Sequence, residues 1–198
     1  MKKVIGLTGG IASGKSTIVD FLISKGYAVI DADKVVHELQ QPGGKLNEMI
    51  RREFGSDYFD GQGRLLRKKL GQLVFSDEAS RQKLGSLQNG VIREELYLRK
   101  AHEIDQLPEN GVLFMDIPLL IEQDYDGFDE VWLIAVSPDE QIHRIVERDH
   151  LTVQEAKDRI NAQMPFEQKK KKATHVIDSS GTIQETQEFV EKLLALLY

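Results

Sequence analysis

Gly9, Gly14, Lys15 and Ser16 stand at the spacing G-x-x-x-x-G-K-[ST] within the stretch GGIASGKS. Residues of these types at this spacing hold phosphate. Glycines let backbone approach phosphate oxygens closely, and the first turn of a helix offers unpaired N–H groups and the positive end of its dipole. Lys15 can reach β- and γ-phosphates, and the Ser16 hydroxyl can ligate Mg²⁺. A glycine-rich turn that merely joined a strand to a helix would have no need of Lys-Ser after its second glycine.

A second set of candidates is acidic. Asp31 and Asp33 are two residues apart, so in extended backbone both face one side. One of them could accept a hydrogen bond from an acceptor hydroxyl and orient it for in-line attack. Asp33 could also cap the helix KVVHELQ, a role compatible with the first. Asp116 closes the apolar run VLFM, the position from which a carboxylate holds Mg²⁺ directly or through water. The competing account of Asp116 is a cap on the turn between strand and loop.

Arg144 and Arg148 are four residues apart and share a helix face. Two cations so placed could stack on an adenine and stabilise the γ-phosphoryl charge during transfer. Arg159 falls on the next predicted helix, where a mobile lid would carry it. The alternative is a surface ladder in which Glu140 pairs with Arg144 and Glu155 with Arg159. Lys169 to Lys172 read as a solvated helix face, and no histidine has metal-ligand spacing.

The elements that must position these groups follow from the apolar pattern. Val4 to Leu7, Tyr27 to Ile30, Val112 to Met115 and Val131 to Val136 are short runs that predict strands, with a weaker one at His175 to Ile177. Helical stretches separate most of them, beginning with STIVDFLISKG after Lys15. Such alternation predicts an α/β fold with a mostly parallel five-stranded sheet and ligands at the carboxyl ends of its strands. From about residue 42 to about 108 the alternation stops, and apolar residues such as Leu70, Leu73, Val74, Leu84 and Leu87 recur at helical spacing. The expectation is one domain with core 1–41 and 109–198, a helical insertion at 42–108 and a helical lid at about 144–172.

Composition narrows the class. With 198 residues the chain can bury a sizeable core. Its 26 Lys plus Arg against 32 Asp plus Glu give a net charge of −6, which attracts neither nucleic acid nor anionic lipid. Cysteine is absent, excluding disulfides and thiolate metal sites. No apolar run reaches membrane-spanning length, and Thr8-Gly9-Gly10 interrupts any signal-peptide apolar region, so a soluble cytoplasmic protein is expected.

Several motifs coincide with one family. GLTGGIASGKST, VIDADKV, GRLLRKKLGQLVFSD, DIPLLIE, RIVERD and RINAQMPFEQKKKKATHVIDSSGT, in this order and over nearly the whole chain, resemble the bacterial dephospho-CoA kinases. The glycine loop alone would give only a superfamily, that of the P-loop nucleoside and nucleotide kinases. The resemblance implies a P-loop NTPase-type three-layer fold and ATP-dependent phosphorylation of the ribose 3′-hydroxyl of dephospho-CoA, the last step of CoA synthesis. It also implies that Gly9, Gly10, Ile11, Ala12, Ser13, Gly14, Lys15, Ser16 and Thr17 bind ATP, and that Asp33 orients or deprotonates the hydroxyl. Arg144, Arg148 and Arg159 then belong to the nucleotide and lid side, with Lys15, Asp33 and Arg148 the catalytic set and Ser16 and Asp116 the Mg²⁺ ligands. The helical insertion matches the family's CoA-binding domain, and a monomer or weak homo-oligomer is expected.

The chain departs from the family pattern twice. Asn89-Gly90 stands where His-Pro is common, and Asp178-Ser179 where Asp-Asn is common. The rivals are a kinase for another small acceptor and a GTP-dependent switch. DGQG at Asp60 to Gly63 imitates a switch motif but falls inside the helical insertion, and no N-K-x-D guanine motif exists.

Overall fold

The computed structural model describes residues 1–198. Five strands are present: β1 (Lys3–Gly9), β2 (Ala28–Asp31), β3 (Val112–Asp116), β4 (Glu130–Ala135) and β5 (His175–Asp178). Their order in the sheet is β2-β3-β1-β4-β5. β1 runs parallel to both neighbours, with Leu7 opposite Asp116 on one side and Gly9 opposite Ile134 on the other, and β4 runs parallel to β5. The expected α/β architecture with a mostly parallel five-stranded sheet is thus observed.

By contacts the chain divides into two compact units, Met1–Ile30 with Glu103–Tyr198, and Asp31–His102. In the first, alternate apolar residues on one face of the sheet meet α1 (Lys15–Ser24) and α9 (Ile183–Ala195). Ile5, Leu7, Phe114, Trp132 and Ile134 are fully buried, as continuous apolar runs require when a parallel sheet is covered on both faces. Burying each such side chain stabilises the fold by about 1.5–3 kcal/mol. Phe114 sits edge-on to both Tyr27 and Trp132, with ring centroids 5.4 Å apart in each pair. The unit is completed by α6 (Pro138–Asp149), α7 (Val153–Asn161) and α8 (Phe166–Lys172). Ser137 caps α6, and Thr152 with Glu155 forms a capping box on α7.

The second unit is helical: α2 (Ala32–Leu39), α3 (Lys45–Phe54), α4 (Arg67–Ser76) and α5 (Glu78–Gln106), with a short 3₁₀ turn at Ser56–Tyr58. Ala32, Val35, Leu39, Leu46, Ile50, Phe59, Leu70, Val91 and Leu96 are its buried apolar residues. Asn47 stitches the loops by donating from Nδ2 to the carbonyls of Gln40 and Gly63, at 3.2 and 3.0 Å. α5 runs unbroken through Asn89 and Gly90. A proline at position 90 would remove a helical N–H and clash with the preceding turn. Asn-Gly leaves the helix continuous here. DGQG forms a turn in this unit, with Asp60 accepting from Gln62 N and Arg64 N.

Candidate active site

Gly14 is the N-cap of α1 and takes φ 81°, a left-handed conformation open to glycine without penalty. From there Lys15, Ser16 and Thr17 form the first turn of the helix, where backbone N–H groups have no intrahelical partner. Ala12 is also left-handed at φ 56°, which for a residue with Cβ costs on the order of 1 kcal/mol. The loop is held in this shape from outside. Ser179 Oγ donates to Ser13 O at 2.5 Å, with Ala135 O 3.0 Å away. Arg144 Nη2 donates to Ser179 O at 2.9 Å, and its Nη1 reaches Ala12 O at 3.5 Å. In a planar trans peptide the carbonyl and the following N–H point in opposite directions. Holding the Ser13 carbonyl outward therefore aims the Gly14 N–H toward the inside of the loop.

Lys15 Nζ is paired with Asp116 Oδ1. Asp116 ends β3, beside β1, and is 6% exposed, so the lysine compensates a carboxylate that burial would otherwise penalise. Ser16 is exposed on the first turn of α1. A cavity of about 550 Å³ opens beside the loop, lined by Ala12, Gly14, Ser16, Thr17, Arg144, Arg148 and Ser179 among others. That is the size of pocket which takes a nucleotide-sized ligand.

The structure brings the loop residues Gly9 to Thr17, Asp116, Arg144 and Arg148 together within the first unit. Asp33 belongs to the helical unit. Its backbone differs from expectation: α2 begins at Ala32, so Asp31 and Asp33 are not both in an extended segment. Asp31 is the N-cap and accepts from Lys34 N at 3.1 Å, leaving Asp33 exposed in the first helical turn rather than serving as the cap. The arginines are also sorted. Arg144 pairs with Glu140 at 2.8 Å as the ladder account expects, yet it also reaches the carbonyls of Ala12 in the loop and of Ser179 after β5. Arg159 pairs with Asp149 at 2.8 Å, while Glu155 turns back to cap Thr152. Arg148 forks Asp149 at 2.7 and 3.0 Å, and hydrogen bonds from its guanidinium hold the Asp149 carboxyl below the usual carboxylate range.

The lysine run departs most from expectation. Lys169 is 1% exposed and pairs with Glu122 at 2.5 Å, so it is no part of a solvated face. The composition of α8 hides this, since four successive lysines share one charge and only one turns inward. Sequence reasoning also passed over Gln141, Gln163 and the hydroxyl of Ser179 as supports of the loop. Of these, the Q-M-P motif and the Ser179 departure were the available signals.

A glycine-rich cradle at the amino end of a helix, with a lysine facing an acidic strand end in a parallel sheet, defines a P-loop kinase fold. The solved shikimate kinase of Acinetobacter baumannii has this fold at a TM-score of 0.54 and 15% identity, over 100% of this chain and 93% of that one. The family model described as dephospho-CoA kinase matches residues 3–185, and the chain belongs to that family of ATP-dependent kinases. The dephospho-CoA kinase of Lactococcus lactis is 48% identical, covering 97% of each chain. That of Streptococcus mutans is 48% identical over 100% of this chain and 98% of the relative. The solved dephospho-CoA kinase of Campylobacter jejuni superposes with a TM-score of 0.68 at 26% identity, over 99% of this chain and 97% of its own.

Proposed function

We propose that the chain transfers the γ-phosphoryl group of ATP to the ribose 3′-hydroxyl of dephospho-CoA, with Mg²⁺ as cofactor, and so completes CoA synthesis. The observation that carries the chemistry is Lys15 against the buried end of β3 at Asp116, directly beside the backbone cradle. The loop amides take the β-phosphate, and Lys15 Nζ offsets the charge that builds on the transferring group. The cavity beside the loop takes the nucleoside, with the Arg144 guanidinium as a planar cation for the adenine. Arg148 supplies a second charge to the phosphoryl oxygens.

The Ser16 hydroxyl and the Asp116 carboxylate would hold Mg²⁺. They fit, because both are oxygen donors, one on the first turn of α1 and the other at the end of β3, and this cation takes few protein oxygens and completes its shell with water and phosphate. When bound, the ion neutralises charge shared between the β- and γ-phosphates. Asp33 accepts the proton side of the 3′-hydroxyl in a hydrogen bond and orients its oxygen for in-line attack. The helical unit binds the acceptor, and 144–172 act as the lid. An acceptor as long as dephospho-CoA uses binding energy from its remote arm to position the reacting hydroxyl. No helix is long and apolar enough to cross a membrane, and a chain without cysteine suits a reducing compartment, which supports a cytoplasmic location.

The test is product analysis by chromatography after incubating the purified chain with Mg-ATP and separate acceptors. CoA should form from dephospho-CoA, with much slower phosphorylation of AMP or adenosine and no product from an acceptor lacking the ribose 3′-hydroxyl. Faster phosphorylation of AMP or shikimate would replace this reading with a kinase for a small acceptor.

A further inference from the structure

Ile11, near the tip of the phosphate loop, has both of its backbone polar groups held by carboxamides. Its N–H donates to Gln163 Oε1 at 3.0 Å, and its carbonyl accepts from Gln141 Nε2 at 2.7 Å. Gln141 comes from α6, and Gln163 lies in the turn between α7 and α8. The approach is close: a Cβ added at Gly10 would stand 2.9 Å from Gln141 Nε2 and 3.6 Å from Gln163 Oε1.

We propose that Gln163 is a positioning residue for phosphoryl transfer, acting through the Gly10–Ile11 peptide. This peptide has its N–H on Gln163, while its carbonyl, which must point the opposite way in a planar trans unit, accepts from Ser13 N at 3.2 Å. The two contacts depend on one orientation of one plane. Releasing Gln163 frees that plane to rotate, and rotation removes the acceptor of the Ser13 N–H that closes the tip of the loop. The next peptide is governed in the same way by Gln141: its carbonyl held outward aims the Ala12 N–H inward, at the residue whose left-handed φ stores strain. Gln163 sets the cradle through hydrogen bonding rather than packing. Both glutamines border a second cavity, of about 540 Å³, so a shortened side chain leaves no void in a tight core. The turn that carries Gln163 is itself fixed six residues on by the buried Lys169–Glu122 pair. That pair joins α8 to the segment following β3, and so the lid-side helices and the Asp116 strand reach the loop through one short connection.

The proposal rests on the kinase reading above, and the experiment separates the two. Steady-state kinetics, melting temperature and amide hydrogen exchange at Ile11 are measured on the full chain for wild type, Gln163→Ala and Gln163→Glu. Loss of one neutral hydrogen bond at a positioning residue should lower kcat/KM for ATP about tenfold in Gln163→Ala, leaving the acceptor KM unchanged. Its melting temperature should stay within about 2 °C of wild type, while Ile11 exchanges at least about tenfold faster. Gln163→Glu retains an acceptor oxygen and should restore Ile11 protection. Wild-type kcat/KM for ATP in Gln163→Ala, or lost activity with Ile11 still protected, overturns the proposal. So does faster exchange spread over the whole sheet, which would mark a structural role alone. If the wild-type chain makes no CoA, the kinase reading fails, while ATP affinity and Ile11 exchange still decide the role of Gln163.

Discussion

Around the loop from Gly9 to Thr17, side chains from elsewhere in the unit act as a scaffold that holds the backbone in place. Ser13 O, Ile11 N and Ile11 O each have a side-chain partner drawn from Ser179, Gln163 or Gln141, and the strands beneath are buried. The unit from Asp31 to His102 is built the other way. α5 is 29 residues long yet buries only Val91 and Leu96, and Phe75 of α4 is 90% exposed. Arg51 lies over the Phe59 ring at 4.4 Å, and Lys69 and Lys83 lie over Tyr58 and Phe54 at 5.6 and 5.5 Å. Its helices present many exposed side chains, and a change to one of those exposed side chains leaves the backbone in place. Binding a phosphate common to every nucleotide calls for a rigid backbone device, and recognising one acceptor calls for a surface of varied side chains. Donor chemistry and acceptor choice should therefore fail separately when mutated.

The largest expected effect is Lys15→Ala. Removing the cation that faces the transferring charge should lower kcat by about a hundredfold or more. The structure adds a stability cost, because Asp116 is left buried without this partner. The melting temperature should fall in Lys15→Ala and recover in Lys15→Ala/Asp116→Asn, while activity recovers in neither. Calorimetry beside turnover checks both, and unchanged turnover in a stably folded Lys15→Ala would remove the loop from the mechanism.

Asp33→Asn probes the other unit. An exposed carboxylate that orients the acceptor hydroxyl should cost about a hundredfold in kcat when made an amide, with ATP affinity and melting temperature unchanged. A shift in ATP affinity measured by titration calorimetry would break the separation of the two regions, since it would make Asp33 part of donor binding.

How far the sequence discloses each region follows from the same contrast. Buried parallel strands are continuous apolar runs, so four were plainly readable and the fifth weakly so, with edges moving by one or two residues: β1 runs on to Gly9 rather than ending at Leu7, β2 starts at Ala28 rather than Tyr27, and β4 takes in Glu130, whose carboxylate accepts from Trp132 Nε1 at 2.8 Å. The glycine loop was readable because its φ values and close approaches admit few residues. Lys169 was not, because pairing with Glu122, 47 positions earlier, leaves no periodic mark in a run of identical charges. Asp31 and Asp33 both suit a cap by residue type, and only the helix start at Ala32 assigns that role to Asp31. The glutamine supports carry neither charge nor period, and their contacts to Ile11 span 152 and 130 residues.

The smallest effect is expected at Arg148, and it refines the comparison inside the first unit. Arg144 donates to the carbonyls of Ala12 and Ser179, whereas Arg148 spends its fork on Asp149, where Arg159 also binds. Arg148→Lys keeps the charge and loses the two-pronged contact, so kcat should fall only about fivefold, the scale of an exposed pair. The pH dependence has a definite sign. Hydrogen bonds from Arg148, then its charge and that of Arg159, lower the Asp149 carboxyl in the folded chain, so the contribution of this pairing is complete above the ordinary carboxylate value of about 4 and is lost as pH falls through the lowered one. Between about pH 6 and 9 Asp149 stays ionised, so the Arg148→Lys deficit should be constant across that range. Turnover of wild type and variant measured at each pH gives the ratio directly. A ratio of one throughout would confine Arg148 to the surface pair with Asp149, and a hundredfold deficit would place its guanidinium on the transferring phosphoryl group with the same weight as Lys15.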